Sequence, residues 1–456
     1  MADLDLDLDL AVIGAGPAGL AAALAAAARG VRVTLLDAAP GAGGQFYRQP
    51  APGLGARRPQ ALHHQWRTWE RLRDGLAREL RTGRIRHLTE HQVWSVEPRP
   101  DGGFTVHALR GPGRDETATH PTDAVLLATG GYERVLPFPG WTLPGVVTAG
   151  GAQAMLKGGL VLPGRTVVVA GTGPLLLPVA TGLAAAGARI AALVESADPR
   201  AVLREARALA PKAPEAAGYA AALLRRRVPV LARHTVVAAH GRDRVDAVTV
   251  VSLATGATRR IPCDTLAVGH GMLPHTDLAG ALGCSLDGDR VQVDDEQRTD
   301  VPGVWAAGET TGVGGAALAL AEGHLAGRSA AARLTGTAPD PHPAAVRARN
   351  RMRHFATALE RAYAPPPDWP TRVTDDTIVC RCEEVTAGTV REAAATLGAG
   401  DLRTVKLLTR AGMGWCQGRI CAPGVAAITN CAQTPTHHFL PHPIPLGTLA
   451  TPTDPT

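Results

Sequence analysis

Apolar residues near the N-terminus form a short continuous run, which is followed by glycines and then by a longer stretch rich in Ala and Leu. Residues 9–13 read as a buried strand, 14–19 as a tight turn and 20–29 as a helix. A second apolar strand, 31–36, ends at Asp37. This order of strand, glycine turn, helix and strand predicts the beginning of a parallel α/β sheet.

The same pattern occurs a second time. Residues 166–170 predict a strand, 171–173 a glycine turn and 174–186 an apolar helix, and the next strand ends at Glu195. Two such units predict an α/β protein with two Rossmann-like dinucleotide-binding domains.

Shorter periodic segments fill the remaining chain. Four further strands are predicted, at 104–109, 124–129, 245–253 and 290–293. Helices are predicted at 60–82, from about Gly315, and at 344–364.

Composition narrows the class of protein. The 456 residues are 45% hydrophobic with a mean hydropathy of +0.01, which is typical of a soluble globular chain. The net charge is +6, but the arginines are scattered and no aromatic-interleaved basic face appears, so nucleic acid is not an expected partner. The uncharged runs 10–28 and 166–188 are interrupted by glycine turns, so we expect no membrane span. The acidic N-terminus and the scattered remaining cysteines favour the cytoplasm.

The first glycine turn has the chemistry of a phosphate site. Gly14 and Gly16 allow the backbone to approach a pyrophosphate, Gly19 allows close helix–sheet packing, and Pro17 of the same turn is a further predicted cofactor contact. Asp37 is placed to accept hydrogen bonds from a ribose.

The second glycine turn is weaker. Leu176 replaces the third glycine, and its side chain would crowd the helix against the sheet. We expect NAD(P) binding to be lost here, and the domain to be empty or to hold another nucleotide.

Four cysteines near the C-terminus supply a second candidate site. Cys380 and Cys382 form a CxC pair, and after 33 residues Cys416 and Cys421 form a CxxxxC pair. Four thiolates suit Zn²⁺ or a [2Fe–2S] cluster, and a disulfide switch is a third alternative. Small residues around the second pair leave backbone N–H groups free to bond to cluster sulfurs.

Segments 125–130 and 299–309 resemble those of the glutathione-reductase-like flavoproteins with two dinucleotide domains. The resemblance implies FAD in the first domain. That family has Asp where this chain has Glu309, so the contact of the longer side chain with the ribityl group is expected to shift. The further FAD contacts that the resemblance implies are Gly44, Gln45, Val93, Thr129, Gly130 and Gly308.

The cysteine pattern and its glycine-rich surroundings, 409–421, closely resemble the ferredoxin domain of the bacterioferritin-associated ferredoxins. This resemblance favours [2Fe–2S] over zinc and implies a small helical module.

Segments 43–49 and 130–150, together with the module, resemble the FAD-binding large subunit of heteromeric amine dehydrogenases. That group includes opine oxidases, D-hydroxyproline dehydrogenases, archaeal-type proline dehydrogenases and hydrogen cyanide synthase. It implies a partner similar to D-amino-acid oxidases that oxidises the amine, in some members a third small subunit, and in some an FMN between subunits. No catalytic base is identified in this chain.

Two alternatives stay open at this point. One is a self-sufficient NAD(P)H-dependent reductase that passes electrons through its cluster, and the other is an iron-handling or zinc-stabilised interaction protein.

These motifs also predict the domain organisation. The FAD domain is expected to be discontinuous, and the second nucleotide domain to be inserted within it. The expected bounds are 1–150 and 286–335 for the FAD domain, 151–285 for the second domain, 336–375 for a Pro-rich linker and helix, 376–433 for the cluster module and 434–456 for an extended tail.

Overall fold

A computed structural model describes residues 9–338, 342–431 and 440–450. The chain forms two parallel sheets with helices against them, followed by a smaller module that contains the four cysteines.

The first sheet is parallel throughout and is assembled from distant parts of the chain. Its strands, in spatial order, are Val304–Ala306, Ala124–Leu127, Asp9–Ile13, Arg32–Leu36 and Ile85–Leu88. Helices cover one face of this sheet, and antiparallel strands pack on the other, so the strands Asp9–Ile13, Ala124–Leu127 and Val304–Ala306 are buried and almost entirely apolar. The late strand returns to pair with Ala124–Leu127 after the second sheet has been completed.

Two helices pack unusually closely on this sheet. Pro17–Ala27 lies against Ala316–Leu334. A Cβ on Gly323 would lie 2.1 Å from the carbonyl oxygen of Ala18, and one on Gly327 would lie 2.2 Å from that of Ala22. Only glycine fits at either position, so the helix that opens at the first glycine turn is fixed against the late segment.

The second sheet is also parallel. Its strands, in spatial order, are Val230–Ala232, Arg189–Glu195, Thr166–Gly171, Thr265–Gly269 and Val146–Thr148. The helices Ala149–Gly159 and Leu176–Ala185 pack on it around a core that includes Val167, Val169 and Leu183. Both glycine turns predicted from the sequence therefore join a buried strand to a helix.

Antiparallel strands complete the two units. Three-stranded sheets are formed by His91–Pro98, Phe104–Arg110 and Glu116–Thr122, and by His234–His240, Ala247–Ser252 and Thr258–Pro262. Two-stranded pairs are Gly131–Glu133 with Met272–Pro274, and Leu286–Asp287 with Arg290–Val291.

The remaining helices before the module include short ones. They are Trp66–Arg81, Pro199–Arg204, Ala206–Leu209, Ala213–Arg225, Asp277–Ala281 and Pro343–Ala362, with 3₁₀ turns at Pro52–Leu54, Pro59–Leu62, Ala210–Lys212, Gly308–Thr311 and Trp369–Arg372. The helix predicted at 60–82 is thus split, and its regular part begins only at Trp66. The strand predicted at 290–293 is two residues long because it closes a tight hairpin.

The cysteine-containing module packs against the rest of the chain. It consists of the strands Ile378–Cys380 and Val385–Thr386 and the helices Ala387–Ala395, Leu402–Thr409 and Ala422–Thr429. The indole N–H of Trp141 donates to the carbonyl oxygen of Ile378 at 2.6 Å. The tail predicted to be extended includes a short helix, Leu446–Ala450, and its residues 434–439 and 451–456 lie outside the described part.

No helix in the described ranges combines the length and the apolar character that crossing a bilayer requires.

Candidate functional site

The first glycine turn is built to receive a phosphate. Gly14 has φ +106°, and a Cβ there would lie 2.2 Å from the carbonyl oxygen of Ala128. A Cβ on Gly19 would lie 1.7 Å from the carbonyl oxygen of Gly14. Pro17 is the first residue of the helix and Gly16 its N-cap, which has no side chain to bond to the first N–H groups. These N–H groups are therefore free to bind an anionic ligand such as the pyrophosphate of a dinucleotide.

Asp37 supports this turn. Its Oδ2 accepts from the N–H of Ala15 at 2.5 Å, and its Oδ1 accepts from the N–H of Ala39 at 2.7 Å. Burial raises the pKa of the carboxyl group, while these backbone bonds favour its charged form. The predicted role as a ribose acceptor stays a prediction, and the oxygens keep lone pairs for it.

Three more predicted FAD residues lie near this turn. Gly44 packs so closely on it that its Cβ would be 2.8 Å from the Cα of Gly16. The amide oxygen of Gln45 accepts from Arg48 at 2.7 Å. Val93 is buried in the strand His91–Pro98, whose first N–H donates to the carbonyl oxygen of Asp37. Gly44 is thus part of the turn itself, and the FAD contacts of Gln45 and Val93 stay predictions.

Thr129 and Gly130 follow the strand Ala124–Leu127 at the same sheet edge. The Thr129 hydroxyl donates to the carbonyl oxygen of His275 at 2.7 Å, and the N–H of His275 donates to the carbonyl oxygen of Gly130 at 2.9 Å. The Thr310 hydroxyl donates to the same His275 oxygen at 3.0 Å. The backbone of His275 thus joins the predicted flavin turns, although the position of His275 in the sequence indicated only an ordinary polar residue.

The late turn contains Gly308 and Glu309. Gly308 lies against the first helix, and its Cβ would be 2.7 Å from that of Ala18. The carboxylate of Glu309 accepts from the N–H of Gly315 at 2.8 Å, at the start of the helix Ala316–Leu334. In the described structure Glu309 therefore caps this helix, and its ribityl contact stays a prediction.

Glu309 should make the stability of the FAD-free protein depend on pH. Burial raises the pKa of its carboxyl group from 4.5 to about 7. The folded state then holds the proton more tightly than the unfolded state, so the contribution is full below pH 4.5 and is lost as pH rises through 7. The loss is about 3 kcal/mol. Relative to the Glu309→Gln variant, the free energy of unfolding of the native chain should fall between pH 5 and pH 8 in urea titrations.

The exposed carboxylate of Glu392, on the helix Ala387–Ala395, provides the matched control for this measurement. Glu392→Gln should follow the native chain at each pH. If the free energy of unfolding of the Glu309→Gln variant depended on pH as that of the native chain does, the raised pKa of Glu309 would be contradicted.

A buried acid that the sequence did not predict lies beneath the late turn. Glu322 is 1% exposed and accepts from the N–H of Gly308 at 3.0 Å and from the Thr311 hydroxyl at 2.7 Å. Arg353, from the helix Pro343–Ala362, donates to the other oxygen at 2.9 Å. The signal was the single acid of a helix whose first six residues are apolar, and the side chain sets the shape of the turn.

The second glycine turn is covered by the chain itself. Both oxygens of Glu195 bond to backbone N–H groups, those of Gly173 at 3.0 Å and Ala197 at 2.9 Å. The Thr172 hydroxyl donates to the carbonyl oxygen of Tyr363 at 3.2 Å, and a Cβ on Gly173 would lie 4.0 Å from that of Tyr363. Tyr363 thus packs against the second glycine turn, beside the helix that begins at Leu176, and the loss of NAD(P) binding stays a prediction.

The four cysteine thiols interact in sequence from Cys382 through Cys416 and Cys421 to Cys380. The hydrogen bond from the Cys421 thiol lowers the pKa of Cys416 to about 5 and raises that of Cys421. Cys380 and Cys421 are buried, whereas Cys382 is exposed.

Backbone N–H groups point to these sulfurs. The N–H of Gly412 donates to the Sγ of Cys380 at 3.4 Å, that of Cys416 to Cys382, and those of Gly418 and Ile420 to Cys416. N–H···S bonds of this kind stabilise the charge of an iron–sulfur cluster.

Within the described part of the chain, no three His, Cys, Asp or Glu side chains group as one metal ion would require. A [2Fe–2S] cluster takes its four thiolates in pairs on two irons, and the four neighbouring thiols of this module can supply them.

Comparison with known proteins agrees with this geometry. The model of the pyridine nucleotide-disulphide oxidoreductase family matches residues 8–333, and that of the BFD-like [2Fe-2S] binding domain matches 378–430. The opine oxidase A-subunit of Agrobacterium tumefaciens is 34% identical over 93% of this chain and 86% of its own length. The HcnB subunit of hydrogen cyanide synthase from Pseudomonas aeruginosa is 33% identical over 90% of each chain.

Solved structures agree on the fold. L-Proline dehydrogenase from P. horikoshii superposes with a TM-score of 0.69 at 20% identity, over 97% of this chain and 79% of its own. Thioredoxin reductase from T. acidophilum superposes with a TM-score of 0.53 at 23% identity, over 72% of this chain and 99% of its own.

Proposed function

The chain belongs to the pyridine nucleotide-disulphide oxidoreductase family, and from this premise we propose that it is the electron-transfer subunit of a heteromeric amine or amino-acid dehydrogenase. It is an FAD-dependent oxidoreductase similar to the opine oxidase A-subunit, and it has a fused BFD-like [2Fe–2S] domain. Its relatives are named as subunits of oxidases and synthases, so partners are part of the family's organisation. The partner that we propose is a D-amino-acid-oxidase-like flavoprotein that oxidises the substrate C–N bond. A third small subunit, and an FMN between subunits, are further parts of this proposal.

The observation that carries the proposal is the contrast between the two nucleotide turns. Both helices begin without a side-chain cap, and Asp37 and Glu195 support their turns in the same way, but Tyr363 packs against the second turn. A chain with an open flavin site and a covered nicotinamide site must receive its electrons from another donor.

The residues have separate tasks in such a protein. The N–H groups after Gly16 would hold the FAD pyrophosphate, and Asp37 would orient the ribose. Glu322 keeps the late turn in place from beneath. Bound FAD would accept two electrons and release them singly, and the four cysteines would hold the group that takes them onward.

We also propose a cytoplasmic location for the complex. The cluster needs Cys380, Cys382, Cys416 and Cys421 as reduced thiolates, and all seven cysteines of the chain are free in the structure.

The test is to supply electrons by two routes under anaerobic conditions. NADH and NADPH should leave the flavin absorbance of the purified chain unchanged over minutes. The chain co-expressed with a D-amino-acid-oxidase-like protein from a neighbouring gene should be bleached by an amine or amino acid within seconds. The chain without that partner, given the same amine, is the control.

Rapid bleaching by NADH would overturn the proposal and favour the alternative, a self-sufficient NAD(P)H-dependent reductase. Fast amine oxidation by the chain alone would contradict the division of labour.

A further inference from the structure

A buried ion pair joins the cluster module to the rest of the chain. The Nε of Arg419 lies 2.9 Å from the Oδ2 of Asp277, and both side chains are 12% exposed. The two residues are 142 positions apart in the sequence. Forming a buried pair costs desolvation that its attraction only partly returns, so general stability is a poor explanation for it.

The Arg419 side chain also holds the loop between two of the cysteines. Its Nη1 donates to the carbonyl oxygen of Cys416 at 3.1 Å, and its Nη2 donates to the carbonyl oxygen of Pro441. The planar guanidinium thus contacts the cysteine loop, the C-terminal segment and Asp277 at once. A lysine could not reproduce this fork of donors.

Asp277 also contacts His275, which bonds to the predicted flavin turns. Its Oδ2 lies 3.6 Å from the Nε2 of His275, whose carbonyl oxygen accepts the hydroxyl groups of Thr129 and Thr310. The His275 ring stacks on that of His442, with centroids 5.2 Å apart and planes 15° apart. Packed and bonded groups therefore run without a break from the flavin turn to the cysteine loop.

We propose that Asp277 and Arg419 are positioning residues that hold the cluster in register with the flavin for electron transfer. This rests on the proposed function only in requiring that electrons pass between FAD and the cluster. Each transfer would move one electron from reduced FAD to one ferric ion of the cluster, with the flavin proton going to solvent. A one-electron acceptor would reoxidise the cluster before the second electron follows.

The rate of such a transfer falls steeply with distance, so small errors of placement are costly. Asp277 is the better position for substitution, because its carboxylate reaches the cysteine loop only through Arg419.

The experiment uses the full chain with FAD and cluster loaded, and no partner or amine. Flavin is reduced by a laser flash with deazaflavin, and cluster reduction is followed by absorbance and by freeze-quench electron paramagnetic resonance. Asp277→Asn and Arg419→Gln should each slow the transfer at least tenfold. The iron content and the midpoint potential of Asp277→Asn should equal those of the native chain, and the double variant should be no slower than the slower single variant.

Trp141→Phe is the matched control. It removes the hydrogen bond to Ile378 at the same interface, away from the path through His275. Its transfer rate should stay within threefold of the native rate, and Arg419→Lys should fall between the native and glutamine forms.

Three outcomes would overturn the proposal. They are unchanged rates in both variants, a loss of rate that matches a shifted midpoint potential, and equal slowing by Trp141→Phe. Because the electrons come from a sacrificial donor through photoexcited deazaflavin, the result is independent of whether an amine-oxidising partner exists.

Discussion

Replacing Cys416 by serine is expected to remove the [2Fe–2S] cluster and to leave FAD bound. Cys416 is central among the thiols, since it interacts with both Cys382 and Cys421, and two backbone N–H groups stabilise its charge. A serine hydroxyl is a poor ligand for iron at neutral pH, and three thiolates leave one iron incomplete. Iron and acid-labile sulfide per chain should fall at least tenfold, and the visible bands of the oxidised cluster should disappear from the absorption spectrum.

Cys431→Ser is the control for this substitution. Cys431 lies in the same module, but its thiol donates to the carbonyl oxygen of Ala399 at 3.6 Å and takes no part in the row of four. It should keep the full iron content. Stoichiometric zinc in the native chain, or unchanged iron in the Cys416→Ser variant, would contradict the cluster assignment.

Replacing Gly14 by alanine should abolish FAD binding and destabilise the first sheet. The left-handed backbone conformation alone costs about 1–3 kcal/mol for a residue with a Cβ. The Cβ would also lie 2.2 Å from the Ala128 carbonyl oxygen, so the turn and the neighbouring strand would have to separate. We expect the FAD content to fall at least tenfold and the unfolding temperature by a few degrees, measured by flavin absorbance and circular dichroism.

Gly41→Ala supplies the comparison. A Cβ there meets nothing within 4 Å, and its φ lies outside the left-handed region. It should keep both flavin and stability. An FAD content near native in the Gly14→Ala variant would mean that the dinucleotide is not held at this turn.

Much of the fold followed from local patterns. The strand before Gly14, the helix after it and the end of the next strand at Asp37 lie where the sequence predicts them. The reason is that a buried parallel strand needs a continuous apolar run, and a tight turn into a helix needs glycine where a Cβ would clash. The break within the helix predicted at 60–82 was not expected. The residues before Trp66 have no helical periodicity of apolar positions from which its start could be located.

The cluster module shows the same limit. The spacing of Cys380, Cys382, Cys416 and Cys421 predicted a four-thiolate site, and the structure adds the N–H groups that face the sulfurs. Those contacts depend on how the loop folds back on the strand Ile378–Cys380, which residue spacing does not encode.

The sequence by itself determined the two glycine turns and the two cysteine pairs, because each turn and each pair depends on residues a few positions apart, and the choice of [2Fe–2S] over zinc came from the resemblance to known ferredoxin domains. Only the tertiary structure decided that Tyr363 covers the second turn, that Glu309 caps a helix, and that Asp277 meets Arg419. The physical reason is one of range. Backbone conformation and Cβ clashes act between near neighbours, whereas the partner of a buried charge or carbonyl is selected by packing between segments that are distant in the sequence.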